Sequence, residues 1–349
     1  MAAAITFLSL TTPAAAAQYG LVDDYRPGSF YDKFTFFNET DPTDGTVVYD
    51  DFDTASDASL IAYTDYSTIM RVDGTNIIPG DQGRPSVRIT SDKKYNHGLL
   101  IADILHMPPS LCSLWPALWM TGPDWPKGGE IDIIEGVNTQ TANLMTLHTT
   151  DDCRDPNIAG YSADMLGDVT TSSCWNKDPN QAENAGCQIA APAAGLSSAL
   201  TAPATYGSSL NAQGGGVVAM EWTSNAITIW LWSRYNLPSS IATATNLSNT
   251  SPHPNPSDAD WGVPLAVFGG SGCSLDSHIK DQQIVVNIDF CGSWAGEASV
   301  WAAADGDAGS CAAVTGTDCA SYVRNNPGAF VDAFWEFGAF RWFEKGAGS

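Results

Sequence analysis

The sequence predicts an all-β protein of the sandwich or barrel kind. Short apolar or alternating runs recur along the chain with turn residues between them, amphipathic helix patterns of any length are missing, and no composition break resembles a linker. At 349 residues with 44% hydrophobic content, the chain is long enough for one large core.

The runs are read in order. Thr46–Tyr49, Ser86–Thr90 and Gly98–Leu105 come first, then Glu130–Glu135 and Asn143–Thr149. Val217–Trp222, Ile227–Trp232, Ile284–Phe290 and Phe334–Phe343 follow. Each is rich in β-branched or aromatic residues, which fit a pleated surface. Between them, Lys177–Gly216 (with Cys174 and Cys187 near its start), Leu237–Gly262 and Ala302–Cys319 are rich in small and turn-forming residues. Long loops in a compact domain are functional or tied down, and the nearby cysteines point to the latter.

Residues 1–17 read as a secretory signal: an apolar Ala4-Ile5-Thr6-Phe7-Leu8 segment, then small residues to Ala17, although no Lys or Arg follows Met1. Residues 18–349 then form a single domain. Eight cysteines permit four disulfides, which fits an oxidising, extracellular compartment, and no C-x-x-C pair suggests zinc or redox chemistry. Sequons at Asn38, Asn246 and Asn249 fit a secreted glycoprotein. The net charge of −24, with 15 Lys and Arg, argues against nucleic acid and an anionic membrane surface as partners. A neutral polymer suits it better.

The most informative run is Gly128-Gly129-Glu130-Ile131-Asp132-Ile133-Ile134-Glu135-Gly136. The isoleucines make it a buried strand, and carboxylates are costly there unless paired or used. The chain has eight Glu in all, so two of them flanking an Asp is not compositional noise. Alternation places Glu130 and Asp132 on one face, with Ile131 and Ile133 on the other. Glu135 joins the acids only if a β-bulge adds a residue near Ile133-Ile134. Two acids held close on a rigid strand are what glycosidic bond cleavage needs, and this spacing suits the ~5–5.5 Å separation of retaining enzymes.

Aromatics surround this strand in sequence. Sugar rings stack their C–H faces on aromatic planes, and Trp adds an N–H donor. Trp119 fits a core or a cleft, Trp125 lies in a Gly/Pro loop that favours a cleft, and Trp115 reads as core. Trp230 and Trp232 alternate on a strand and read as packing. His148, on a strand returning from the acids, would hold the acid/base or a sugar hydroxyl. Arg88 points off the core face, toward sugar hydroxyls or an acid partner. Trp294 is a loop aromatic beside Cys291.

The run from Trp115-Pro-Ala-Leu-Trp119 through Asp124-Trp125-Pro-Lys-Gly-Gly-Glu130-Ile-Asp132-Ile-Ile-Glu135-Gly-Val-Asn138 resembles glycoside hydrolase family 16. Within that family it is most similar to secreted fungal endo-β-1,3(4)-glucanases, or laminarinases. The likeness continues through Met145–Thr149, Gly214-Gly-Gly, Phe290–Gly296 and Tyr322–Phe330. The resemblance implies a β-jelly-roll sandwich of the concanavalin A-like kind with a concave substrate cleft. It implies Glu130 as nucleophile, Glu135 as general acid/base and Asp132 as the residue that orients and tunes them. It also supports Trp119, Trp125, His148, Arg88 and Trp294 as substrate-binding residues. The expected partner is a β-glucan polysaccharide, cleaved endo by a monomer without a membrane anchor. The resemblance requires no cofactor; relatives sometimes carry a structural calcium ion, and this sequence demands none. Two departures stand out: Ala190–Ala204 is long for the group, and Ser293 replaces a common Asp. A transglycosylase of the same fold, a non-catalytic glucan-binding module and a structural cell-wall protein are the alternatives.

Overall fold

The computed structural model describes residues 18–153, 165–193, 203–270, 272–303 and 309–347. Residues 1–17, read above as a signal, and most of the Ala190–Ala204 stretch lie outside the described residues. Eighteen strands are present among those described. They are β1 (Tyr19–Tyr25), β2 (Phe34–Phe36), β3 (Val47–Tyr49), β4 (Ile61–Tyr63), β5 (Thr68–Arg71) and β6 (Arg84–Ser86). Next come β7 (Arg88–Ser91), β8 (Gly98–His106), β9 (Leu114–Thr121), β10 (Glu130–Glu135), β11 (Leu144–His148) and β12 (Asp168–Thr171). The last are β13 (Cys187–Ala190), β14 (Gly216–Trp222), β15 (Ala226–Ser233), β16 (Ala266–Gly269), β17 (Gln283–Phe290) and β18 (Phe334–Lys345).

Two eight-stranded antiparallel sheets make the β-jelly-roll sandwich that the sequence predicts. The back sheet runs β16-β15-β14-β8-β18-β5-β4, with β1 also on β18. The front sheet runs β12-β13-β11-β10-β9-β17-β7-β2. Alternation decides which side chains meet between them. On β9, Leu114, Leu118 and Met120 are buried, while Trp115, Trp119 and Thr121 face outward and are half-buried. Ile131, Ile133, Leu147, Ile284, Val286 and Ile288 join that inner face, against Leu100, Ala102, Ile104, Met220, Phe337 and Trp342 of the back sheet. Each fully buried apolar side chain of this size contributes about 1.5–3 kcal/mol.

The uninterrupted apolar run of β8 has its own explanation. Its second face is covered as well: Leu99 and Ile101 pack with Val217, Ala219, Trp230 and the helix Ser239–Thr245. Trp230 and Trp232 both close edge-on around Trp261, at 5.1 and 5.2 Å, as packing residues. Ser86–Thr90 proves to be two strands with Val87 between them, one paired in parallel with β3 and one with β17. The run Leu114–Thr121 is a strand that the sequence left unassigned, because its tryptophans draw attention to chemistry rather than to period.

The cysteines form Cys112–Cys311, Cys153–Cys273, Cys174–Cys187 and Cys291–Cys319. They tie down the loops, as expected: Cys174–Cys187 pins the start of the Lys177–Gly216 segment, and Cys311 and Cys319 begin short helices. Cys291–Cys319 closes a separation of 28 residues and anchors the turn that carries Trp294. Replacing both cysteines by Ala should lower stability by about 3–4 kcal/mol through restored loop entropy, read as a lower urea midpoint.

Candidate active site

The acids sit at the centre of the outer face of the front sheet. On β10, Glu130 pairs in register with Thr121 of β9 and His148 of β11, and Asp132 with Trp119 and Thr146. The register with β9 then slips: Asp132 opposes Trp119 but Ile134 opposes Leu118. Ile133 is therefore the extra residue of a bulge, where alternation required one. The slip turns Glu135 back to the face of Glu130 and Asp132, opposite Ala117, while Ile131, Ile133 and Ile134 stay buried. Two glycines frame the strand. Gly129 takes a positive φ of 77° at the turn into it, and a Cβ on Gly136 would lie 2.7 Å from the Tyr206 ring.

Each acid has a different neighbour. The Trp115 indole N–H donates to Glu135 Oε1 at 2.8 Å. His148 Nε2 lies 3.3 Å from Asp132 Oδ2 and 3.7 Å from Glu130 Oε1, within ion-pair reach. Asp132 Oδ2 nevertheless lacks an aligned hydrogen bond, so the imidazole contact is electrostatic rather than directional. Burial raises all three carboxyls to about 8. For Glu130, the charges of Asp132 and Glu135 add to that rise, and His148 and Arg88 oppose it. For Glu135, Asp132 adds to the rise, while the Trp115 hydrogen bond and His148 oppose it. Groups this close titrate as a coupled set.

The aromatic floor extends across the neighbouring strands. Trp119 donates its indole N–H to Asn287 Oδ1 at 2.8 Å, and Asn287 in turn donates to Tyr49 Oη at 3.3 Å. The Arg88 guanidinium packs between Phe37, at 4.6 Å from the ring centre, and Trp119, at 5.1 Å. Trp294 meets Trp115 edge-on at 5.5 Å, and Asn138 Nδ2 holds the turn behind it through Ala295 O at 3.0 Å. Trp125 stands 45% exposed in the loop between β9 and β10.

A model of the XgeA-like catalytic GH16 domain matches residues 34–343. The chain belongs to this glycoside hydrolase family. Across 342 residues it is 39% identical to an endo-1,3(4)-beta-glucanase of Arthroderma benhamiae, covering 98% of this chain and 68% of that protein. It is 35% identical to the endo-1,3(4)-beta-glucanase xgeA of Emericella nidulans, over 95% of this chain and 48% of that one. Among solved structures, GH16 laminarinase 16A of Phanerochaete chrysosporium superposes with a TM-score of 0.80 at 38% identity. It covers 94% of this chain and the whole of that one, and holds two beta-glucans in its donor and acceptor sites. An elongating GH family 16 β-1,3-glucosyltransferase matches with a TM-score of 0.77 at 37% identity, over 93% of this chain and all of that one.

The structure brings most of the residues singled out in the sequence together and changes the surroundings of some. Glu130, Asp132, Glu135, His148, Trp119, Arg88 and Trp294 share the front sheet's outer face or its rim. Trp115 corrects the sequence reading: it is not core but a half-buried partner of Glu135. His148 stands by Glu130 and Asp132, in register with Glu130, rather than holding Glu135. Arg88 packs between rings, and no carboxylate among the described residues forms an ion pair with it. The leading cause of Glu135's raised pKa is burial, with repulsion from Asp132 second. Phe37 and Asn287 were missed, and their signal was available only as alternation on the flanking strands.

Glu130, Asp132 and His148 also bring one donor atom each within 4.8 Å of one another. By donor type this trio could hold a divalent cation, and the Glu130 carboxylate would be one of its ligands.

The Trp115 hydrogen bond favours the charged form of Glu135, so removing it raises that pKa. Trp115→Phe should move the Glu135 titration upward from about 8, as followed by NMR of the ¹³C-labelled carboxyl. An unmoved or lowered midpoint would contradict the assigned contact.

Proposed function

We propose that this protein is an endo-acting, retaining β-glucanase that hydrolyses β-1,3 and mixed β-1,3/1,4-glucans by double displacement. The observation that carries the reading is the bulge at Ile133, which puts Glu130, Asp132 and Glu135 on one open face beside Trp119. The activities of its relatives support the substrate class.

Glu130 is the nucleophile. Its carboxylate oxygen attacks the anomeric carbon while the glycosidic C–O bond breaks, and Glu135 gives its proton to the departing oxygen. Water then attacks the glycosyl ester, giving its proton to Glu135 and releasing Glu130. The environments suit this division. Burial raises Glu130 and Glu135 alike, and His148 and Arg88 favour charge on Glu130, so on this reading the coupled set ionises first at Glu130 and keeps a proton on Glu135. Asp132, buried between them, tunes both. Trp119, Trp125 and Trp294 offer ring faces to sugars, and Arg88 and His148 offer donors to hydroxyls. The chain acts as a monomer outside the cell, where residues 1–17 direct it. The four disulfides fit that compartment.

The second reading is a glucosyltransferase, favoured by the structural match to an elongating enzyme of the same family. It uses the same ester intermediate with a sugar acceptor in place of water.

We expect laminarin, lichenan and barley glucan to yield short oligosaccharides, with galactan untouched. Glu130→Gln should lower kcat by at least about 10³-fold while laminarin binding persists. Robust turnover by that variant would overturn the assignment. Products longer than the starting oligosaccharide would favour transfer. Activity should fall as pH rises through about 8, where the coupled carboxyls that include Glu135 lose their protons. Treatment with EDTA should leave turnover unchanged, and loss on chelation would favour a cation at Glu130, Asp132 and His148.

A further inference from the structure

The bulge raises a question of its own: what holds the backbone that it displaces. The ladder between β10 and β11 pairs Glu130 with His148, Ile131 with Leu147 and Asp132 with Thr146, and then stops. Continuing that antiparallel register would set Glu135 opposite Asn143. The Asn143 main chain is engaged elsewhere, however. Its N–H donates to Thr205 Oγ1 at 3.1 Å, and its C=O accepts from the Ala191 N–H at 2.8 Å.

Its side chain fills the interrupted ladder instead. Asn143 Oδ1 accepts from the Glu135 N–H at 2.9 Å, and Nδ2 donates to the Ile133 C=O at 2.8 Å. Asn143 is 1% exposed, so water does not compete for these bonds. The partners fix which end of the amide is which, because an N–H only donates and a C=O only accepts. The primary amide carries the donor and acceptor of a peptide group, so it stands in for the missing strand. Asp keeps the acceptor and loses the donor. Leu fills the volume and leaves both buried backbone groups unmet.

We infer that Asn143 is the positioning residue that holds the bulge at Ile133 and thereby aims Glu135. The inference deepens the glucanase reading and rests on it for its kinetic consequence: the protonation step, rather than the nucleophilic one, depends on Asn143. A natural glycosidic leaving group needs the Glu135 proton, and 2,4-dinitrophenolate does not.

The test compares wild type with Asn143→Leu on a laminari-oligosaccharide and on 2,4-dinitrophenyl laminaribioside. A misaimed acid should lower kcat on the oligosaccharide by about 10–100-fold. KM, and formation of the glycosyl ester from the dinitrophenyl substrate read as released dinitrophenolate, should stay within about threefold. Equal losses on both substrates would overturn the proposal, as would no loss on either. Asn143→Asp provides a second variant should the first not fold; it should show the same selective loss, smaller in size. Hydrogen exchange at the Glu135 amide tests the clamp without turnover. Asn143→Leu should speed it at least about tenfold, and unchanged protection would overturn the clamp. A wild type inactive on both substrates would count against the glucanase reading and leave the exchange result to decide the clamp.

Discussion

One strand has to satisfy two opposed demands. The inner face of β10 closes the hydrophobic core with Ile131, Ile133 and Ile134, and the outer face gathers three carboxylates. Strict alternation delivers two acids and then an isoleucine. The extra residue at Ile133 resolves the conflict, because it returns Glu135 to the acidic face without exposing an isoleucine. The surrounding arrangement follows from that insertion. Gly129 provides the turn before it, Gly136 lets the chain pass Tyr206 after it, and Asn143 supplies the ladder bonds that the slip removes.

The same strand sets the electrostatics. Burial raises Glu130, Asp132 and Glu135 well above their ordinary range. Their folded pKa values exceed the unfolded ones, so these groups bind protons more tightly when folded. Their contribution to stability is therefore full below the unfolded values, near 4, and is lost as pH rises toward about 8. Three buried carboxyls raised this far destabilise the fold near neutral pH relative to low pH, and the remainder of the sandwich offsets it. Four disulfides and two apolar clusters, one on each face of β8, supply that reserve.

Around the acids, the indole and imidazole partners are separated. The Trp115 indole reaches Glu135, while the His148 imidazole stands beside Glu130 and Asp132. Trp294 leans on Trp115, and a disulfide anchors the turn that carries it, so a rim residue and a buried bond both bear on the surroundings of Glu135. On the other side, Arg88 between Phe37 and Trp119 makes a flat, cationic floor three strands away from Glu130.

Much of this was legible in the chain alone. The period of two and the turn residues were enough for an all-β sandwich or barrel, and the even number of cysteines for four disulfides. The acids among isoleucines were enough to require the bulge that gathers them on one face, since side-chain alternation is a local property. What the sequence could not decide was which residues of other strands meet that face. Trp115 reads as core by composition, and only its register on β9 turns it outward to Glu135. Asn143 reads as a strand-edge residue, and only the interruption of the β10–β11 ladder makes its amide a backbone substitute. Periodicity fixes which side of a strand a residue faces. Only the packed sheet fixes what stands opposite it, because register arises from contacts between segments far apart in the chain.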